Sequence, residues 1–370
     1  MNWRGRIWNC MDKYYMKLAI RKAEESRGKC SPNPFVGAII VKDGKTIGEG
    51  STMPYGKDHA EIVALREAGS QAKGATMYVS LEPCCHIGKT PPCTEAIIKS
   101  GISRVVVGIL DPNPLVAGKG IKALKEAGIE VVCGFFEETI NVQLEYYLCY
   151  MLKKRPFVIW KTALSLDGKY AASDGSSRWI TNPASRRQVH KLRAEVEVVL
   201  AGINSVSKDN AMLNVRGLRN VKQPLRVVLD PLLDISEDAM LVKSAQDYPA
   251  MIFYHQGEES KLQTLRDAGL KTQKISGHKD ELDLYEVMQV LWEMKLYSVL
   301  LETGNRLSEA FWKAKLVDKC MIFYGNRILG GDKGSLKAYD RKNIDRAIQL
   351  HNVRIRKLQD NVLVCGYPLW

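Results

Sequence analysis

Apolar residues recur along this chain at two different periods, and the way the two alternate sets the expected architecture. Over residues 12–25, Tyr15, Leu18, Ala19, Lys22 and Ala23 trace one mostly apolar stripe at helical spacing. Residues 38–41 and 46–50 read instead as strands joined across Asp43-Gly44, a dipeptide suited to a tight hairpin turn. His59 is expected at or just before the start of a helix continuing through Glu61 to Glu67, with Asp58 as its N-cap. Residues 76–80 alternate as a strand that ends at Glu82-Pro83, and Thr90-Pro91-Pro92-Cys93 opens a helix running through Ile97 and Ile98. Strands at 104–108 and 129–133 and helices at 121–127 and 137–152 follow. Strand and helix alternate throughout, the pattern of a layered α/β domain.

A charge run stopped by proline, Lys153-Lys154-Arg155-Pro156, reads as a linker. Because 370 residues are long for one core, two domains are expected, residues 1–153 and 154–370. The second holds candidate strands at 156–163, 196–201, 225–230, 251–254 and 298–302. A turn is expected at 165–169, a polar loop containing Trp179 at 176–181, and a polar segment at 202–209. Thr181 or Asn182 caps a helix that has Pro183 in its first turn and runs to Ala194. Glu302-Thr303-Gly304-Asn305-Arg306-Leu307 joins a strand to a helix through Phe311, the kind of turn whose free N–H groups meet phosphates, although most such turns bind nothing. The short apolar run Val362-Leu363-Val364-Cys365 is expected to be a last strand.

Composition narrows the class. A hydrophobic share of 45% and a charged share of 26% are those of an ordinary globular protein. No run of about 18 apolar residues marks a membrane span, and the first ten residues lack the apolar core of a secretory signal. Nine cysteines without regular spacing suit a reducing compartment, so the cytoplasm is expected. The net charge of +13, from 54 Lys plus Arg against 41 Asp plus Glu, would suit nucleic acid or small phosphorylated substrates. It gathers in no basic tail and carries no interleaved aromatic motif, which favours a solvated surface with a basic bias.

The chemistry sits between Lys57 and Ser100. A lone histidine is usually only a satisfied side chain, but here His59-Ala60-Glu61 is followed by Pro83-Cys84 and a later Cys93. One imidazole and two thiolates can hold Zn²⁺ and leave a fourth position for water, while the Glu moves a proton between that water and a leaving amine. Cys93 in a helix's first turn has its thiolate favoured by unpaired N–H groups. The general zinc-deaminase signature has two residues between its cysteines, whereas eight separate Cys84 from Cys93. Cys85 and His86 therefore compete as ligands. Adjacent Cys84 and Cys85 would need an awkward turn to share one ion, so His59, Cys84 and Cys93 are preferred, with His86 left facing a substrate.

These residues, with Gly88-Lys89-Thr90-Pro91-Pro92-Cys93, resemble the bifunctional pyrimidine deaminase–reductase family of riboflavin biosynthesis (RibD type), for which the long cysteine spacing is usual. Pro32-Asn33-Pro34-Phe35-Val36-Gly37 and Asp111-Pro112-Asn113-Pro114 with Gly118 and Gly120 match it too. So do Lys161-Thr162-Ala163-Leu164-Ser165-Leu166-Asp167-Gly168-Lys169, Ser177-Arg178-Trp179-Ile180-Thr181 and Arg193-Ala194, and the likeness runs from about residue 12 to about residue 331. It implies a cytidine-deaminase-like three-layer α/β domain followed by a dihydrofolate-reductase-like α/β domain. It further implies Zn²⁺, and NADPH near Ala163, Trp179, Ser205, Asp209, Gly304, Asn305 and Arg306. Glu61 would be the catalytic proton carrier. Asn33, His86, Lys89 and Thr90 would hold substrate in the first domain; Ser177, Arg193, Leu213, Arg216 and Glu302 would do so in the second, where a guanidinium suits a phosphate.

The implied reactions are hydrolytic deamination of 2,5-diamino-6-(5-phosphoribosylamino)pyrimidin-4-one, then NADPH reduction of the ribosyl group to a ribityl chain. The expected partners are a small phosphorylated pyrimidine and further copies of this chain, with neither nucleic acid nor membrane. This chain departs from the family at Cys85, where Ser is usual, and at Ser205, where Thr is. Asp209-Asn210-Ala211 stands for Asp-Asp-Pro, Thr303-Gly304-Asn305 for Gly-Gly-Pro, and a proline is missing near Asn326. Lost prolines loosen loops, so two rival readings are a degenerate or purely structural second domain and a nucleic-acid deaminase. An active reductase is the expectation.

Overall fold

The computed structural model describes residues 10–339 and 342–370. The chain folds as two compact units, Met1–Lys154 and Arg155–Trp370. In the first, α1 (Cys10–Ala23) leads to the hairpin β1 (Gly37–Lys42) and β2 (Lys45–Ser51), whose turn has positive φ at both Asp43 (49°) and Gly44 (73°). Then come α2 (Ala60–Ala68), β3 (Thr76–Leu81), α3 (Cys93–Lys99), β4 (Arg104–Ile109), α4 (Lys119–Glu126) and β5 (Glu130–Cys133). The sheet order is β2-β1-β3-β4-β5, with β3, β4 and β5 parallel and β1 antiparallel to both its neighbours.

The long helix expected over 137–152 is instead two, α5 (Glu137–Gln143) and α6 (Glu145–Lys153), interrupted at Leu144. The burial pattern gives the reason. Ile140 and Cys149 would face opposite sides of an unbroken helix, nine residues apart at about 100° each, yet both are buried. A seam of small residues seats α2 on the sheet: a Cβ on Gly50 would lie 2.0 Å from the Ala60 carbonyl oxygen, so only glycine allows this approach.

The second unit runs β6 (Phe157–Leu164), α7 (Pro183–Glu195), β7 (Val198–Gly202), α8 (Ile203–Asp209), β8 (Leu225–Leu229), α9 (Met240–Lys243), β9 (Ala250–Tyr254), α10 (Glu259–Asp267) and β10 (Lys271–Lys274). A small hairpin of β11 (Gly277–His278) and β12 (Glu281–Leu282) precedes α11 (Leu284–Glu293), β13 (Ser298–Leu301), α12 (Asn305–Lys313), β14 (Lys319–Tyr324), β15 (Leu350–Leu358) and β16 (Asn361–Pro368). Nine of these strands form one sheet in the order β10-β9-β8-β7-β13-β6-β14-β16-β15, parallel except where β16 meets β14 and β15. Its central strands carry unbroken apolar runs because the core is packed against them, as Val158, Val198, Leu200, Val227, Val299 and Leu301 are.

The second unit departs from expectation in two places. Of residues 202–209, expected as a polar segment, Gly202 ends β7 and Ile203–Asp209 form α8, with Val206 buried. The last strand is longer than the four-residue apolar run and is preceded by an edge strand, β15, which carries Arg354, Arg356 and Lys357 and is exposed along most of its length. Its polarity hid it from a search for apolar strands.

Candidate active sites

One edge of the first sheet gathers four loops. The start of β1 lies beside the end of β3, since the Gly37 N–H reaches Ser80 Oγ at 3.1 Å. The end of β2 returns there too, with the Thr52 N–H donating to the Val36 carbonyl at 3.0 Å. Because β4 runs parallel to β3, the segments before β1 and after β2, β3 and β4 all open on that edge.

Asp58 does not cap α2 as expected. His59 takes the N-cap position with no side-chain capping bond, and the Asp58 carboxylate pairs instead with Arg66. The imidazole is thereby left for other work: its Nδ1 is 3.5 Å from Cys84 Sγ and 3.3 Å from Cys93 Sγ. Cys93 is the first residue of α3 and donates its backbone N–H to Cys84 Sγ at 3.4 Å. The three ligand atoms lie within 4.8 Å of one another. A tetrahedral zinc with ordinary Zn–S and Zn–N bonds sets S and N about 3.6 Å apart, so this donor set fits that ion without rearrangement. Cys85 points elsewhere, with its Sγ 3.7 Å from the Leu115 carbonyl.

Glu61, in the first turn of α2, is 4% exposed. Burial, with the negative charge of Cys84 beside it, pushes its carboxyl up to about 7. A carboxyl so tuned both takes and returns a proton near neutrality. Cys84 is held well below the ordinary thiol range by hydrogen bonding from Cys93 and His59, against the opposing effect of burial. His59 is raised to about 9, chiefly by its bond to Cys84.

The residues expected around a substrate lie on the converging loops. Asn33 sits in a turn closed by its N–H on the Cys30 carbonyl (2.9 Å) and by the Cys30 thiol on its own carbonyl (3.3 Å). His86 has a buried Nδ1 with no partner. Lys89 lies over the Tyr55 ring at 4.8 Å, and the Thr90 carbonyl accepts from Gly88 N–H at 3.2 Å. Sequence reasoning missed the residue that organises this edge, Glu82. Its buried carboxylate accepts N–H groups from Asp111 (3.2 Å), Gly118 (2.9 Å) and Ile121 (3.0 Å), tying the segment after β4 to the cysteine loop. The signal was present: an acidic residue closing a largely apolar strand needs partners.

In the second unit the expected residues cluster at the carboxyl ends of three adjacent strands, β7, β13 and β6, where open parallel sheets form their crevices. Ala163 is next to last in β6, Ser205 and Asp209 lie on α8 directly after β7, and Gly304 is the N-cap of α12 after β13. Asn305 donates from Nδ2 to the Gly334 carbonyl at 2.8 Å. Arg306 is turned onto the β11–β12 hairpin, 2.6 Å from Asp280. Trp179 is exposed with φ of 69°, and the Arg186 guanidinium stacks on it at 4.1 Å; Ser177 is exposed on the same loop.

Glu302 anchors the substrate-side group. Arg193 donates to both its oxygens (2.6 and 3.2 Å) and to the Asn214 carbonyl (2.8 Å), and Lys161 reaches Glu302 at 3.3 Å. Three of the five guanidinium N–H groups are thus committed to the protein, which leaves two. Leu213 is buried with φ of 55°, and exposed Arg216 donates its N–H to His190 Nδ1 at 3.2 Å. Lys161 was not anticipated, although a lysine inside an apolar strand was the available clue. Asp167 was also passed over: it accepts from Ser165 Oγ (2.6 Å) and from the N–H groups of Leu329 (3.1 Å) and Gly330 (2.8 Å), closing the turn after β6.

Comparison with known proteins agrees with both halves. Residues 10–109 match the cytidine and deoxycytidylate deaminase zinc-binding region, and residues 156–364 match the RibD C-terminal domain. The riboflavin biosynthesis protein RibD of Aquifex aeolicus is 39% identical over 359 residues, covering 96% of this chain and 98% of its own. The solved structure of Acinetobacter baumannii RibD superposes with a TM-score of 0.87 at 37% identity, over 97% of this chain and 99% of that one. A Thermotoga maritima diaminohydroxyphosphoribosylaminopyrimidine deaminase/5-amino-6-(5-phosphoribosylamino)uracil reductase does so with a TM-score of 0.83 at 34% identity, over 97% and 99%.

Proposed function

From the premise that this chain belongs to the RibD family, we propose that its first unit performs the deamination and its second the reduction of one riboflavin-pathway intermediate. The chain is a bifunctional deaminase and reductase that uses zinc and NADPH. One observation carries the assignment of the first site: His59, Cys84 and Cys93 converge from three elements within 4.8 Å, with Glu61 buried beside them.

His59, Cys84 and Cys93 would hold the zinc, which when bound supplies the Lewis acidity that makes water a nucleophile near neutral pH. Glu61 accepts the proton released from that water at its carboxylate and returns it to the departing amine. Its elevated proton affinity, set by burial, suits both directions. His86, with an unpartnered buried Nδ1, offers a hydrogen bond to the pyrimidine, and Asn33, Lys89 and Thr90 complete that wall and meet the phosphate.

NADPH, when bound in the second unit, would supply the hydride for C1′ of the ribosyl group, and a proton from solvent would complete its opening to a ribityl chain. Ala163, Trp179, Ser205, Asp209, Gly304, Asn305 and Arg306 line its place, where the first-turn N–H groups of α12 are free of side-chain caps and suit a phosphate. Ser177, Arg193, Leu213, Arg216 and Glu302 hold the phosphorylated substrate. Cytoplasmic location is supported by nine cysteines without the regular spacing of a disulfide framework, and assembly into a homo-oligomer by the edge position of β15.

Purified protein incubated with 2,5-diamino-6-(5-phosphoribosylamino)pyrimidin-4-one should exchange an amino group for oxygen without NADPH, and gain two hydrogens only when NADPH is added, as read by mass. Glu61→Gln should abolish ammonia release while zinc stays near one per chain. Ammonia release at the wild-type rate in that variant removes Glu61 from the mechanism.

A further inference from the structure

Arg226 has no role in either site as described, yet it is the largest fully buried side chain among the described residues, at 0% exposure. It lies on β8 on the face opposite Val227 and Leu229, which belong to the main core. Among the described residues no carboxylate pairs with it. Its charge is met by neutral oxygens from two segments. From Nη1 it donates to the Met212 carbonyl (3.1 Å) and Ser244 Oγ (2.8 Å). From Nη2 it donates to the carbonyls of Leu241 (3.4 Å), Ser244 (3.1 Å) and Tyr248. A buried cation without a counter-ion is costly unless its hydrogen bonds hold something that must be held.

What it holds is the stretch after α8. Met212 is followed by Leu213, which has positive φ, by Asn214, whose carbonyl accepts from Arg193, and by Arg216, whose N–H rests on His190. Asn210 ties the same stretch to the same neighbour: its left-handed backbone ends α8, and its Oδ1 accepts the Met240 N–H at 2.8 Å. One direct bond and one bridge through Arg226 therefore join residues 210–212 to the segment around α9. A leucine kept at positive φ drifts to ordinary backbone geometry when its flanks are released.

We propose that Arg226 is a positioning residue for reduction, fixing the backbone that presents Leu213, Asn214 and Arg216 to the phosphorylated substrate while touching neither substrate nor cofactor. This rests on the reading that the substrate lies against Leu213 and Arg216. Lysine at 226 keeps the charge but lacks the fork that spans both segments.

The test is steady-state reduction of 5-amino-6-(5-phosphoribosylamino)uracil by the full-length protein, followed by NADPH absorbance, for wild type, Arg226→Lys, Arg216→Ala and Asn210→Gly. Loss of ground-state positioning raises KM with kcat nearly unchanged. Arg226→Lys should therefore raise the KM for the uracil substrate about tenfold, leaving the KM for NADPH and the rate of ammonia release within about twofold. Should Arg226→Lys fail to fold, Asn210→Gly, which keeps the left-handed backbone and loses only the bond to Met240, should raise the same KM about threefold. An unchanged substrate KM in the folded variant, with Arg216→Ala still raising it, overturns the positioning role but leaves the site in place. An unchanged KM in Arg216→Ala as well overturns both. A parallel rise in the KM for NADPH means general loosening of the unit and also overturns the proposal.

Discussion

Replacing Glu302 with Gln removes one negative charge from a pocket that holds two positive ones. The Glu302 side chain is 9% exposed, those of Arg193 and Lys161 12% and 18%. Burial alone would raise the Glu302 carboxyl, but Arg193 and Lys161 outweigh it and hold it down to about 2 from an ordinary value of 4.5. At about 1.4 kcal/mol per pKa unit, that depression corresponds to about 3 kcal/mol of stability at neutral pH. Removing one partner of a buried ion pair costs a similar amount, about 3–5 kcal/mol, so the two routes agree. The folded pKa lies below the unfolded one, so the contribution is complete above about 4.5 and is lost as pH falls towards about 2. Five of the seven tryptophans, Trp160, Trp179, Trp292, Trp312 and Trp370, lie in the second unit, so urea unfolding followed by indole fluorescence reports on it. Wild type and Glu302→Gln should differ by about 3 kcal/mol at pH 7, and the gap should close steadily as pH falls below about 4.5. A gap under about 1 kcal/mol at pH 7, or one independent of pH, would refute the reasoning.

Other consequences can be checked directly. Cys93→Ser should lower bound zinc well below one per chain by elemental analysis and abolish ammonia release, with NADPH-dependent reduction of the uracil substrate intact, because the two sites occupy separate units. Asp12→Asn should destabilise the first unit by about 2 kcal/mol, read as a lower temperature of half-inactivation for deamination. Its buried carboxylate accepts two bonds from Arg104 (2.8 and 3.0 Å) and one from Tyr78 Oη (2.8 Å), joining α1 to β3 and β4. Gly120→Ala should reduce both zinc retention and deamination, since its Cβ would lie 2.2 Å from the Pro83 carbonyl, next to Cys84, and 3.1 Å from Glu82 Oε1. Full zinc content in Gly120→Ala would show that the cysteine loop does not depend on that contact.

Much of the deaminase half was legible because its chemistry and its folding signals coincide. Asp43-Gly44 turns the hairpin, Pro91-Pro92 sets the start of α3, and Cys93 sits where that helix begins, so the elements and the ligand set follow from one stretch. Glu82 was harder to read, since a buried carboxylate acts through backbone N–H groups that carry no sequence signature. The reductase half hid more. Lys161 and Glu302 come from strands that are far apart in the chain but adjacent in the sheet, where Leu301 pairs with Trp160. Only the parallel register brings them together. The polar edge strand β15 and the short α9 were hidden too: β15 is placed by its pairing with β16, and α9 by tertiary contacts such as those of Arg226.

The departures in the reductase half also look different once partners are known. Missing prolines would be expected to loosen the segment after α8 and the start of α12, because proline restricts the unfolded chain. Both places instead carry an asparagine whose side chain makes a specific bond. Asn210 adopts the left-handed geometry that asparagine tolerates better than most residues, and it holds the Met240 N–H. Asn305 reaches the Gly334 carbonyl from the first turn of α12, tying the turn after β13 to a loop beyond β14. Each exchange replaces a covalent restriction on one dihedral with a hydrogen bond to a neighbouring segment, so rigidity now depends on that neighbour. On this account the second unit's crevice is kept in shape by one contact between the end of α8 and α9 and another between α12 and the 330s loop, and Arg226, behind the first of them, belongs to the same device.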